Sequence, residues 1–153
     1  MSQSARSFWR FLWLTGRRRE ALRLIGLLAR ARWQLRHQPI KQVLARLPRD
    51  YALNAETTQR AQRLAGQRLA RLARLVPWRA LCLEQAIALS LWSARQGLPY
   101  ELVVGVGRDE QNDFAAHAWI EVDTQVVLGG PVTRYRVVSR HPSHKAGAGA
   151  SAD

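Results

Sequence analysis

The chain has a single cysteine, Cys82, and a histidine, His117, lying 35 residues further on inside an apolar stretch. A thiol and an imidazole brought into contact are the smallest apparatus for nucleophilic catalysis, because the thiolate attacks while the imidazole moves the proton. Each residue alone has a plainer explanation. A lone cysteine in an apolar helix is commonly a small buried hydrophobe, and a strand histidine commonly bonds a carbonyl in the core. Position favours chemistry for both. Cys82 falls in the first turn of a helix expected over residues 80–96, where unpaired amides and the helix dipole stabilise a thiolate. His117 stands among Ala115, Ala116 and Ala118, so a substrate would have room beside it.

A helix and a sheet must bring the pair together. Pro77 resets the backbone before a segment apolar on nearly every side (Leu81, Leu83, Ala86, Ile87, Ala88, Leu89, Leu91, Trp92, Ala94), which is the pattern of a buried helix. Gly97 is placed to end it as a left-handed cap, and Pro99 prevents continuation. Strands are expected over residues 100–107, 115–122, 125–128 and 134–139, with a polar loop at 108–114. A tight turn is expected at Asp123-Thr124, and Gly129-Gly130-Pro131 ends the third strand. On the second strand His117, Trp119 and Glu121 take one face, and Ala116, Ala118, Ile120 and Val122 the other. The fold class is therefore α+β: a buried helix carrying Cys82, packed on a small antiparallel sheet carrying His117.

Basic amphipathic helices precede this core. Residues 1–7 lack a pattern, whereas 8–36 place Leu22, Ile25, Leu28, Ala29 and Arg32 at helical spacing, with a bend near Gly16. A short helix is expected over 40–47, between Pro39 and Pro48. Another, capped by Asn54 or Thr57, runs to about Leu75, with Leu64, Leu69, Leu72 and Leu75 inward and Arg60, Arg63, Arg68, Arg71 and Arg74 mostly outward. The expected organisation is a basic helical region over 1–76 and a core over 77–139, folded as one unit. A disordered tail over 140–153, carrying His141 and His144, has too little apolar content to fold.

The net charge of +13 is uneven: residues 1–79 carry 18 Lys and Arg against 3 acids, and residues 80–153 carry 6 against 8. Such a basic half is a surface for an acidic partner, nucleic acid or anionic lipid. No nucleic-acid reader motif is present. One cysteine excludes an internal disulfide, and no zinc spacing, phosphate loop or dinucleotide fingerprint appears, so no cofactor or metal is expected. The apolar run 24–29 is far short of the ~20 residues a bilayer span needs, and no secretory signal is evident. A cytoplasmic setting is the expectation.

Pro77-Trp78-Arg79-Ala80-Leu81-Cys82-Leu83-Glu84-Gln85-Ala86, then Gly97-Leu98-Pro99 before a strand, then Ala116-His117-Ala118-Trp119-Ile120-Glu121-Val122-Asp123, resemble the transglutaminase-like (papain-like) cysteine protease superfamily. More narrowly they resemble the leader peptidase of lasso peptide biosynthesis, the stand-alone protease half of the lasso peptide B protein. The resemblance implies a peptidase that removes the leader from a ribosomally made precursor peptide, working beside a separate leader-recognition protein and a macrolactam cyclase. It makes Cys82 the nucleophile and His117 its base. The amide of Cys82 is a candidate oxyanion donor, and Trp78 or Arg79 a candidate for positioning substrate.

The third catalytic member departs from that pattern. The family's acid lies about a dozen residues beyond the histidine, where this chain reads Leu128-Gly129-Gly130. Asp123 lies six residues from His117 along one strand, or ~20 Å, too far to bond it. If Asp123-Thr124 is a two-residue turn, Val122 pairs with Gln125 and His117 falls opposite Gly130. Three arrangements stay open: a backbone carbonyl near Gly129, a carboxylate from elsewhere such as Asp113 or Glu84, or a bare dyad. A dyad with carbonyl support is the expectation. Two rival functions also stand. One is a basic nucleic-acid- or membrane-binding module in which Cys82 and His117 are structural; the other is a transglutaminase-like acyl transferase with a different peptide substrate.

Overall fold

The computed structural model describes residues 18–48 and 58–143. Among them run four helices, α1 (Arg18–His37), α2 (Ile40–Ala45), α3 (Thr58–Ala73) and α4 (Cys82–Arg95). Four strands follow, β1 (Glu101–Arg108), β2 (Phe114–Val122), β3 (Gln125–Leu128) and β4 (Tyr135–Pro142). The expectations for residues 1–17, including the bend at Gly16, and for caps at Asn54 or Thr57 lie outside the described residues.

Helix α4 occupies the centre, as its all-round apolar sequence requires. Every residue from Ala86 to Ala94 is buried, between α1 and α3 on one side and β2 with β1 on the other. Gly97, at φ +68°, ends the helix in the left-handed region. The sheet is antiparallel in the order β3-β2-β1-β4, so β2 is an inner strand; β1 pairs along its whole length, opposite His117 at Gly105, while β3 pairs only with Ile120 to Val122. Ala118, Ile120 and Val122 join the core with α4. On the opposite face Trp119 is also buried, its ring lying over Gly105.

Three sequence expectations need correction. Of the residues at helical spacing in α1, Leu28 is buried and Ile25 packs partly buried against the core, but Leu22 and Ala29 are exposed; the buried stripe is Ala21, Leu24, Leu27, Leu28 and Ala31. The buried set carries no charge, whereas the expected one ends on an arginine, and a core selects the uncharged face. In α3 Leu64 is exposed; Gln62 is buried instead, its Nε2 donating to Ser93 Oγ at 3.1 Å and the Pro99 carbonyl at 2.6 Å. A buried amide is tolerated when it bonds, and this one links α3 to both ends of the α4–β1 connection.

The third correction concerns the tail, expected to begin at residue 140. Strand β4 continues to Pro142, and Ser143 is buried. Tyr100 N–H donates to Ser143 Oγ at 2.9 Å, and Ser143 N–H returns a bond to the Tyr100 carbonyl at 2.8 Å. Polar side chains hold this end of the strand, which is why apolar content failed to mark it.

At the other edge of the sheet α3 lies against β3. Gly66 makes that approach feasible, since a Cβ there would collide with the Val127 carbonyl oxygen.

Candidate active site

Cys82 is the first residue of α4. The Gln85 amide is the first to bond within the helix, to the Leu81 carbonyl at 3.0 Å, so the amides of Cys82, Leu83 and Glu84 precede the helical ladder. Leucine has no side-chain acceptor for them. The reciprocal half of a capping box does form, as Glu84 Oε2 accepts the Leu81 N–H at 3.3 Å. Glu84 is buried, and its other oxygen faces Arg32 of α1 at 3.5 Å. The Arg32 guanidinium also lies 5.8 Å from the centre of the Trp78 ring. Arg32 of α1 thus braces the head of α4 through Glu84 and Trp78.

His117 reaches the Cys82 thiol within hydrogen-bonding range. Its Nε2 lies 2.5 Å from the Gly129 carbonyl oxygen. That oxygen only accepts, so Nε2 carries a proton and Nδ1 is left for the sulfur. The Tyr135 ring stacks on the imidazole at 4.8 Å between centroids, with Trp119 at 6.0 Å.

Gly129 enters this position through the local backbone. Val122 pairs with Gln125 across the two-residue turn, and both turn residues have positive φ, +48° at Asp123 and +65° at Thr124. A bulge then shifts the register, so that Leu128 rather than Val127 faces Ile120, and β3 ends. Gly129 leaves at φ +90°, with its Cα so close to Trp119 that a Cβ would come within 2.8 Å of that residue's Cβ. Only glycine fits both the conformation and the space. The carbonyl bonded to His117 is therefore that of Gly129, and the bulge removes the reading of His117 opposite Gly130. Gly130 lines the cleft next to it.

Beyond Ile120 the edge of β2 has no β3 residue beside it, and here the Ala118 N–H is directed at the Cys82 sulfur. The balance on the thiol follows. Burial pushes it up, but the His117 hydrogen bond, the Ala118 amide, the imidazolium charge and the Leu83 amide together hold it below its ordinary value. His117 moves the other way: its bond to Cys82 raises it, burial opposes, and the Gly129 carbonyl and thiolate charge add to the rise. Both shifts favour a thiolate–imidazolium pair.

The remaining sequence candidates are not brought to the histidine. Asp123 sits exposed in the hairpin turn at the far end of β2. Asp113 is exposed in the β1–β2 loop, its amide bonded to Asp109 Oδ1 at 2.9 Å. Glu84 is engaged by Arg32 and Leu81. Trp78 packs against the core beneath Arg32, and Arg79 is exposed. Tyr135 and the Ala118 amide gave no sequence signal, because their roles depend on strand order and on where β3 stops. Among the described residues no cluster of His, Cys, Asp and Glu could hold a metal ion.

Beside the imidazole opens a cleft of about 400 Å³, bounded by Gly129, Gly130, Arg134, Tyr135 and the loop from Asp109 to Gln111. A second groove of about 540 Å³ runs between α3 and β3 and shares Gly129 and Gly130 with it. The two meet at the carbonyl that holds His117.

The chain sets a thiol at a helix head beside a strand histidine on a small antiparallel sheet, in a domain of the α+β class. The chain belongs to the transglutaminase-like superfamily, whose family model matches residues 12–140. That superfamily includes cysteine proteases and acyltransferases. Comparison with curated proteins and with solved structures gave no significant match.

Proposed function

We propose that this chain is a cysteine peptidase that removes the leader from a ribosomally made lasso peptide precursor. The observation carrying the chemistry is the Cys82–His117 contact, with the other imidazole nitrogen fixed by Gly129. The sequence surrounding both residues, from Pro77 to Ala86 and from Ala116 to Asp123, carries the narrower assignment through its resemblance to the lasso leader peptidases.

In this reading the scissile carbonyl lies over the Cys82 sulfur. The thiolate attacks the carbonyl carbon, and the C=O electrons move onto oxygen. Free amides at the head of α4, that of Cys82 first, are the donors available to that oxyanion. Collapse breaks the C–N bond while imidazolium Nδ1 gives its proton to the leaving amine, which departs as the new N-terminus of the core peptide. Water then loses a proton to His117 and attacks the thioester, releasing the leader carboxylate and restoring the thiolate. Transfer to an amine would share every step up to the thioester and differ only in the nucleophile that ends it.

The supporting apparatus is a separate leader-recognition protein that delivers the precursor and a cyclase that closes the macrolactam at the freed amine. The cleft beside His117 and the groove along α3 and β3, which share Gly129 and Gly130, offer space for an extended peptide near the histidine.

The test is to incubate the chain with candidate precursor and leader-recognition protein and weigh the products. One cleavage at the leader–core junction, with masses summing to precursor plus water and lost in Cys82→Ala, is expected. An aminated leader fragment would instead establish acyl transfer. A precursor left intact in the presence of its recognition protein, while Cys82 alkylates rapidly, would remove the lasso assignment and leave the thiol chemistry standing.

A further inference from the structure

Helix α1 turns Ala21, Leu24, Leu27, Leu28 and Ala31 toward the core, which leaves its opposite face in water. At about 100° per residue, Leu22, Gly26, Ala29 and Trp33 form a line down the middle of that outer face. Leu22 is 60% exposed and Trp33 56%, and nothing lies within 4 Å of a Cβ built on Gly26. Arg36 flanks the line on one side and Arg19, Arg23 and Arg30 on the other, all exposed. The only carboxylate of α1, Glu20, is engaged by Arg68 of α3. Past the end of the helix, Ile40 and Lys41 repeat the mixture, with Ile40 53% exposed.

A face evolved only for solvation would be polar at its centre. Here the centre is apolar and aromatic while the flanks are cationic. Arginines flanking an apolar row can keep their guanidinium groups at lipid phosphate level while the row enters the headgroup boundary, where tryptophan is also favoured. Nucleic acid would use the arginines but leave Leu22 and Ala29 without a role. The sequence directly before α1 has the same chemistry, Phe8-Trp9-Arg10-Phe11-Leu12-Trp13-Leu14 followed by Arg17 to Arg19. Three of the six tryptophans fall within the first 33 residues, an aromatic-with-arginine composition that favours a lipid interface over an acidic protein helix. No helix among the described residues is long and apolar enough to cross a membrane, so the contact is with a surface.

We infer that the outer face of α1 rests on an anionic bilayer, with Leu22, Ala29 and Trp33 in the interfacial layer and Arg19, Arg23, Arg30 and Arg36 on lipid phosphates. This contact stands apart from the peptidase reading, since none of these residues touches Cys82 or His117.

Co-sedimentation of the full chain with vesicles tests it, comparing phosphatidylcholine containing phosphatidylglycerol with phosphatidylcholine alone. The chain is expected to pellet with the anionic vesicles, to remain in solution with the neutral ones, and to be released as salt rises from about 0.05 to about 0.5 M. Replacing Arg23 and Arg30 together by glutamine should lower the partition coefficient about thirtyfold, and Trp33→Ala about tenfold. The rate of Cys82 alkylation should match the parent in both variants, showing that they fold. No pelleting with anionic vesicles would overturn the inference, as would equal pelleting with both lipids. Pelleting that these folded variants leave unchanged would overturn it too, because the contact would then lie elsewhere.

Discussion

Holding His117 by a carbonyl rather than a carboxylate changes what the ring can do. Gly129 fixes the tautomer but brings no negative charge, so the thiolate itself is the main anion stabilising imidazolium. The lowered Cys82 pKa and the raised His117 pKa both shift the site toward the thiolate–imidazolium form. What the thiolate contributes to stability is lost as pH falls through the folded Cys82 value, and what the imidazolium contributes is lost as pH rises through the folded His117 value. Alkylation followed against pH should show a thiolate inflection below the ~8.5 of a free thiol. In His117→Ala burial keeps its upward push while the largest opposing cause is gone, so the inflection should move upward and alkylation at neutral pH slow at least tenfold. An inflection that does not move would mean that His117 does not activate the sulfur. Asp123→Asn provides the complementary check. Its carboxylate is remote from the imidazole, and asparagine suits positive φ at least as well, so activity within twofold of the parent and an unchanged melting temperature are expected. A loss approaching that of Cys82→Ala, in a folded variant, would place an acid in the mechanism after all.

At the scale of elements, the head of α4 is where the N-terminal helices act on the site. Glu84 serves twice, capping the Leu81 amide and facing Arg32, and the two roles can be separated. Glu84→Gln keeps an acceptor for Leu81 and loses the ion pair, which is partly exposed at Arg32; a cost below about 1 kcal/mol is expected. Glu84→Ala loses the cap as well and opens space beside α1, for about 2 kcal/mol in total by urea unfolding. Equal costs for the two variants would show that the cap contributes nothing. The elements that sequence made legible are those with one dominant local signal. Helix α4 is apolar on nearly every side between Pro77 and Gly97, and the β2–β3 hairpin has alternation meeting a two-residue turn. Where two faces compete, periodicity could not choose: α1 carries one apolar stripe that is buried and another that stays in water. The bulge near Val127 was equally silent, and it decides that Gly129 rather than Gly130 presents its carbonyl to His117. Register there depends on how β3 meets Trp119 and α3, which are contacts distant in sequence.

Across the whole molecule, strand β4 is held by its polar end. Glu101 and Glu121 face each other on β1 and β2, an arrangement that two carboxylates would resist alone. Arg140 of β4 donates to both, at 2.6 and 2.8 Å, while Glu121 also accepts the Trp119 indole N–H at 2.7 Å. Burial works to raise the Glu121 pKa, but the indole and Arg140 outweigh it and leave it lowered, so this brace is present near neutrality and lost as pH falls through the folded value. Three residues on, Ser143 exchanges two hydrogen bonds with Tyr100, whose hydroxyl donates to the Pro48 carbonyl at 2.7 Å. The end of β4 is thereby connected to the inner strands β1 and β2 and to the end of the α1–α2 region. A chain ending at Ser139 would lose Arg140 and Ser143 together, about 3–5 kcal/mol from one charge-assisted network and two neutral bonds. Its melting temperature should drop by about 10 °C. Because β4 also carries Tyr135, stacked on His117, Cys82 should alkylate more slowly as the sheet edge loosens. A chain ending at His144 keeps every one of these contacts and should melt with the full-length protein. Arg140→Ala should reproduce about half of the loss, leaving the remainder to the Ser143–Tyr100 exchange and the β1–β4 pairs of residues 140–142. If the chain ending at Ser139 melted with the full-length protein, β4 would not brace the sheet that positions His117.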